Sequence, residues 1–149
     1  MSSVSEPRKP TTTFWMNLED IQPSQLYISR KKFNRILKAF DKNEAHKIPP
    51  VPIKELDGEM ISTDGHTRAL VWHLKGHSNI LCEWEDTEMD WEEYRICVEW
   101  CKDAGITGIP ALRDRIISAE DYKILWLGRC WTMHQELKQE RAQSNAETK

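Results

Sequence analysis

Two short segments with alternating apolar residues, Val51-Pro-Ile-Lys-Glu-Leu56 and Glu59-Met-Ile-Ser-Thr63, are separated only by Asp57-Gly58. This spacing constrains the fold more than any other feature of the chain. A two-residue Asp-Gly loop supplies the positive φ angles of a type I′ turn, whose twist matches that of paired antiparallel strands. A β-hairpin over 51–63 is therefore expected. Pro52 cannot donate a ladder hydrogen bond, so it predicts either an edge position or a strand start. The second strand runs directly into Asp64-Gly65 and then a helical segment, His66 to Lys75, which Gly76 stops.

Flanking segments complete a mixed architecture. Phe14 to Leu18 reads as a first strand, followed by an irregular turn at Gln22-Pro23-Ser24-Gln25. Ser29 is a candidate N-cap for a helix in which Phe33, Ile36, Leu37 and Phe40 share one face. Lys31, Arg35, Lys38 and Lys42 fall on the opposite face, which reads as a solvated surface. Asn79 to Trp84 reads as a further strand. Asp90-Trp-Glu-Glu93 fits a capping box, with Glu93 reaching back to the N-cap. The helix it opens buries Trp91, Tyr94, Cys97, Val98 and Cys101 and ends at Gly105. A short helix is expected at 110–115 behind Pro110. A last one opens at Ser118 and turns Tyr122, Leu125, Trp126, Cys130 and Met133 inward. The expected fold is α/β (α+β): a small mixed sheet with a β-hairpin and helices over 14–86, and a helical subdomain over 87–138 packed on it. Residues 1–13 and 139–149 are rich in polar and charged residues and read as flexible tails.

Composition narrows the class. The 149 residues suffice for one domain with a substantial core, and 39 % hydrophobic with 30 % charged residues is ordinary for a globular chain. A net charge of −3 and a pI near 6.0 argue against a protein whose main task is coating DNA. No stretch approaches the roughly 20 apolar residues that span a bilayer, and the N-terminus lacks the apolar core of a signal peptide. A cytoplasmic setting with four reduced cysteines is the resulting expectation. Without any Cys-x-x-Cys, those cysteines read as small buried hydrophobes. Trp84, Trp91, Trp100, Trp126 and Trp131 read as core. His66, His73 and His77 lie close to one helical face, yet they lack the further ligand zinc requires.

The turn at Asp64-Gly65-His66-Thr67-Arg68 carries the chemistry. A strand that stops at a glycine and turns at once into a helix leaves backbone N–H groups unpaired at the positive end of the helix dipole, where an anion is favoured. Gly65 permits a tight turn and close approach of a ligand. His66 and Thr67 add donors, and Arg68 can fork onto two phosphate oxygens. On spacing alone the same five residues read equally as a cap, a turn and a surface arginine.

The run Pro49-Pro50-Val51-Pro52-Ile53-Lys54-Glu55-Leu56-Asp57-Gly58, a strand, and then Asp64-Gly65-His66-Thr67-Arg68 resembles the N-terminal domain of ParB and its relatives in the ParB/sulfiredoxin superfamily. Ile21-Gln22-Pro23-Ser24 is similar to the turn after that family's first strand, and the resemblance covers about residues 14–86. It implies nucleotide binding at the loop through Gly65, His66, Thr67 and Arg68. His66 stands where sulfiredoxin has its nucleophilic cysteine, which argues against sulfinate reduction. His66-Thr67 replaces the Glu-Arg of ParB, and no helix-turn-helix with a basic recognition helix follows. The loop is closest to the Asp-Gly-His type of the free serine kinases. That likeness implies a phosphotransferase using ATP, ADP or CTP with Mg²⁺, acting on a small-molecule acceptor, with Asp64 as the catalytic and metal-holding acid. Near the first turn, where the kinase relatives have an acid, this chain has Glu19 and Asp20, then neutral Gln22 and Ser24. The alternatives are a DNA-binding, partition-type accessory using Lys31, Arg35 and Lys38 with Arg68, and a non-catalytic interaction module.

Overall fold

The computed structural model describes residues 12–147. The tail expected over 1–13 therefore lies almost wholly outside the described residues. The hairpin forms as expected, with β3 (Val51–Leu56) and β4 (Glu59–Ser62) paired antiparallel in the register Leu56↔Glu59 to Ile53↔Ser62. Asp57 at φ 54° and Gly58 at φ 81° supply the two positive angles of the turn. Two outer strands complete a four-stranded sheet in the order β1-β5-β3-β4: β1 (Thr13–Asn17) pairs antiparallel with β5 (Asn79–Trp84), and β5 runs parallel to β3. The α/β (α+β) class is thus a mixed sheet with helices.

Pro52 does not lie on an edge, because β3 is sandwiched between β5 and β4. It occupies the start of its strand. The carbonyl of Pro52 accepts from Thr63 N at 3.2 Å, whereas Ile53 turns its carbonyl to Glu85 N on the β5 side. The N–H that proline lacks would face the β4 side, just where β4 leaves the sheet, so no ladder bond is lost. The outer edge of β4 is covered in turn. Gln22 N donates to Met60 O and Ser62 N donates to Gln22 O, which lays the Ile21–Ser24 segment against the hairpin.

Helix α1 (Arg30–Asp41) buries Phe33 and packs Ile36, Leu37 and Phe40 against the core, while Lys31, Arg35, Lys38 and Lys42 are exposed. Ser29 holds the N-cap position by backbone conformation, without the expected side-chain bond. Helix α2 (His66–Leu74) follows β4 and buries Ala69, Leu70 and Val71. Arg68 fastens its first turn: the guanidinium donates to the carbonyls of Pro49 (3.1 Å) and Pro50 (3.0 Å), the residues that lead into β3.

The helical part does not form a separate layer. Helix α3 (Trp91–Asp103) sets Val98, Trp91 and Tyr94 against Leu56 and Ile61 of the hairpin, and sends Cys97 and Cys101 into the main core. A two-residue parallel pairing joins β2 (Ile28–Ser29) to β6 (Ile116–Ile117), so both parts share one core. Only half of the expected capping box forms. Glu93 N donates to Asp90 Oδ1, but the Glu93 carboxylate meets His134 Nδ1 at 2.7 Å instead of reaching back.

The last helical stretch comprises α4 (Ala119–Tyr122), a π turn at Lys123–Leu127 and α5 (Gly128–Glu147). The wide turn shifts the helical phase, which explains why Leu125 faces outward while Tyr122, Trp126, Met133 and Leu137 are buried. Residues 139–147, read above as a flexible tail, continue α5. Arg141 clamps that end to α3 with a bidentate bond to Asp90 at 2.9 and 3.1 Å. Trp84 and Trp131, expected in the core, are exposed at 40 % and 66 %.

The two turn glycines make separable predictions. A Cβ on Gly58 meets nothing within 4 Å, whereas one on Gly65 lies 2.8 Å from an Arg68 guanidinium that is itself held by two carbonyls. Both residues are left-handed, which costs a non-glycine residue about 1–2 kcal/mol. Gly58→Ala is expected to lose about 1 kcal/mol in urea denaturation, and Gly65→Ala about 2–3 kcal/mol because the clash adds to the backbone strain. Equal losses would show that Arg68 moves away freely.

Candidate functional site

The tight turn into α2 inserts His66 into the protein interior. The residue is 2 % exposed, and its imidazole sits among β4, α2 and the Gln22–Ser24 segment. Its Nε2 accepts the backbone N–H of Ser24 at 2.9 Å, and the Ser62 hydroxyl lies 2.9 Å from the same nitrogen. Ser24 Oγ in turn donates to Ser62 O at 2.7 Å. Burial depresses the imidazole pKa to about 4, so the ring is neutral at physiological pH. An Nε2 that accepts an amide proton leaves the ring proton on Nδ1. That Nδ1–H is buried and has no partner. A buried donor without an acceptor costs about 1–3 kcal/mol.

His66 lines a cavity of about 450 Å³ between the sheet and the C-terminal helices. Ser24 and Thr63 form its floor beside His66; Tyr94, Trp126 and Trp131 supply aromatic walls. Thr63 is anchored on both sides, its hydroxyl donating to Glu85 and its carbonyl accepting from Tyr94 Oη. The single carboxylate of the lining, Glu93, is engaged by His134. The π turn places Trp126 and Leu127 on this wall, an irregularity of a kind that recurs at functional sites.

The five residues singled out in the sequence are divided between two places. His66 belongs to the cavity. Asp64 and Arg68 line a separate cleft with Glu83, Glu85 and Asp86, and the charges of Asp64 and Glu83 act on the guanidinium. Arg68 spends its Nη1 on the Pro49 and Pro50 carbonyls, and the acidic side chains beside it disfavour an anion in this cleft. Asp64 is exposed and accepts the N–H of Gly65 at 2.8 Å, which makes it a turn-stabilising residue. Gly65 is the left-handed N-cap, and Thr67 is half-buried in the first turn. The first α2 amide to bond within the helix is that of Ala69, to Gly65 O, which leaves the N–H groups of His66, Thr67 and Arg68 outside the helical ladder.

Among the described residues no three His, Cys, Asp or Glu side chains converge to hold a metal. Asp64 is paired with its own turn and faces a cation. Glu19 and Asp20 are exposed, and neither lines the cavity. His73 and His77 edge another cleft, with His77 packed on Trp72 at 4.6 Å, so they do not join His66.

The cavity residues contributed by α3 and α5 were not read as a site from the sequence. Glu93, Cys97, Cys130 and His134 lie far apart in the chain. Only the i, i+4 spacings of Glu93–Cys97 and Cys130–His134 hint that each pair shares a helical face.

No protein-family model matches the sequence, and no curated protein matches it. Among solved structures, protein Atu1540 from Agrobacterium tumefaciens is similar at 11 % identity and a TM-score of 0.44, over 65 % of this chain and 50 % of that one. The chain thus spans about half the length of that protein, and a likeness of this extent carries no argument about fold or function. No helix among the described residues is long and apolar enough to cross a membrane.

His66 predicts a specific pH dependence. Its folded pKa of about 4 lies below the ordinary 6.5, so the native state resists a proton that the unfolded state accepts. The stability from a neutral His66 is complete above pH 6.5. It falls as pH drops toward 4 and levels off below that, by about 3 kcal/mol in total. His66→Gln should flatten this part of the profile in urea denaturation at pH 7 and pH 4.5. An unchanged slope in the variant would place the titrating group elsewhere.

Proposed function

We propose that this protein binds a nucleotide-class ligand, an aromatic ring carrying an anionic group, in the cavity floored by His66. The observation that carries the reading is the orphaned Nδ1–H of His66. The native fold fixes this donor in position and gives it nothing to bond. Aromatic walls at Tyr94, Trp126 and Trp131 suit a planar base. His66, the first residue of α2, brings the start of an uncapped helix to this cavity. The resemblance of residues 14–86 to the ParB/sulfiredoxin superfamily points to the same class of ligand at the same loop.

This reading differs from the sequence expectation in which residues act. Phosphoryl transfer needs an acid placed beside the nucleotide, because catalysis there rests on positioning and charge neutralisation. Asp64 stands in the neighbouring cleft, and Glu93 is held by His134. The function proposed is therefore binding, with any Mg²⁺ arriving on the nucleotide's own phosphates. Arg68 supports the turn and makes no ligand contact.

Isothermal titration with ATP, ADP and CTP, with and without Mg²⁺, tests the reading. At least one nucleotide should bind. His66→Gln, which loses the Nδ1 donor, should weaken it about tenfold or more, and Trp131→Ala by a similar factor. Arg68→Ala should leave the affinity within about twofold while lowering the thermal midpoint. Absence of heat with all three nucleotides, or a larger loss in Arg68→Ala than in His66→Gln, would reject it.

A further inference from the structure

The outer side of the last helical stretch carries an apolar strip. Ile124, Leu127 and Trp131 follow one another at i+3 and i+4 spacing and are 70 %, 48 % and 66 % exposed. The row that faces the core is a different one, Tyr122, Trp126, Met133 and Leu137. Single exposed apolar side chains are ordinary, but three large ones in sequence along one helix face mark an interaction surface. Gly128 lies within the strip. Its backbone is helical, at φ −63° and ψ −41°, where glycine is a poor helix former. A Cβ there would meet only the Lys123 carbonyl at 3.5 Å, an ordinary contact, so nothing inside the chain demands the missing side chain. Its absence leaves room for a second backbone to come close.

Charge says what covers the strip. Glu120 lies beyond its N-terminal end and Lys138 beyond its C-terminal end. Both are exposed, and among the described residues neither takes part in an ion pair. Two identical helices crossing antiparallel about a two-fold axis bring their unlike ends together. The register that sets Leu127 against Trp131 of the second copy also sets Glu120 against its Lys138. Each of these charges lies seven residues outward from its apolar neighbour, about two turns along the helix. A parallel pairing would instead face Glu120 with Glu120 and Lys138 with Lys138. The strip and its ends are therefore complementary to themselves in the antiparallel orientation.

We propose that this helix face binds a second copy of the chain, forming a two-fold symmetric dimer through Ile124, Leu127 and Trp131 with Glu120–Lys138 pairs at both ends. Three apolar anchors per copy make a small interface, so the dimer forms in the micromolar range. Leu127 and Trp131 also line the cavity that holds His66, so the second copy stands beside its opening. The inference does not rest on the nucleotide reading.

Sedimentation velocity, or size-exclusion chromatography with light scattering, tests it on the full chain across a micromolar concentration series without nucleotide. The mass should rise with concentration from that of the 17.5 kDa chain to twice that value. Ile124→Asp should weaken association by about tenfold or more, because it carries a carboxylate into the apolar contact. Glu120→Lys and Lys138→Glu should each weaken it several-fold by facing like charges, less so in high salt, and the double variant should restore it. If Ile124→Asp fails to fold by circular dichroism, the charge-swap set decides by itself. A monomer at every concentration, which would leave the strip to a different partner, would overturn the proposal. So would a dimer indifferent to Ile124→Asp, or a double variant as weak as the single ones.

Discussion

The hydrogen bond from Ser24 N to His66 Nε2 is the contact on which much of the remaining structure turns. It joins the start of α2 to the segment that covers the outer edge of the hairpin, so two stretches of chain distant in sequence meet at one neutral imidazole. The acceptor role forces the proton onto Nδ1, and burial keeps the ring uncharged. A cation at this place would have to be desolvated among apolar neighbours, which is why the site excludes the second proton. The unpaired donor and the acid sensitivity therefore have one origin.

A second consequence concerns the turn itself. Gly65 must be left-handed to bring His66 inward, and the space a side chain would take there is filled by Arg68. Arg68 is drawn to the Pro49 and Pro50 carbonyls, which have no ladder partner just before β3 begins. One nitrogen of a guanidinium that reads as a phosphate fork in sequence thereby holds the strand entrance. Asp64, next to it, balances that charge in a cleft with three other carboxylates. His66 faces one cavity and Asp64 and Arg68 another.

The C-terminal helices contribute more than cover. Because β2 pairs with β6 and Cys97, Cys101, Trp126 and Met133 enter the main core, the cavity is walled by elements from both halves of the chain. The π turn at Lys123–Leu127 sets which side chains of the last helix point inward, and Arg141 holds its far end on α3. Cys130 and His134 reach the cavity only in that phase.

Much of this fold was legible locally. The hairpin follows from Asp57-Gly58, β5 from Asn79 to Trp84, and α1 from the spacing of Phe33, Ile36, Leu37 and Phe40, because turn geometry and periodicity act over a few residues. The left-handed turn into α2 was likewise visible at Gly65. What Pro52 does, where Arg68 points, which way Leu125 faces and which cysteines line the cavity all depend on neighbours remote in sequence. Glu93 illustrates the division: its place in the first turn of α3 is a local matter, but its carboxylate chooses His134, 41 residues away, over the N-cap. The sequence by itself determined the hairpin, β5, α1 and the glycine turn that opens α2. Only the tertiary structure decided which of its side chains share a cavity, because side-chain direction is set by packing between elements and not by the chain order within them.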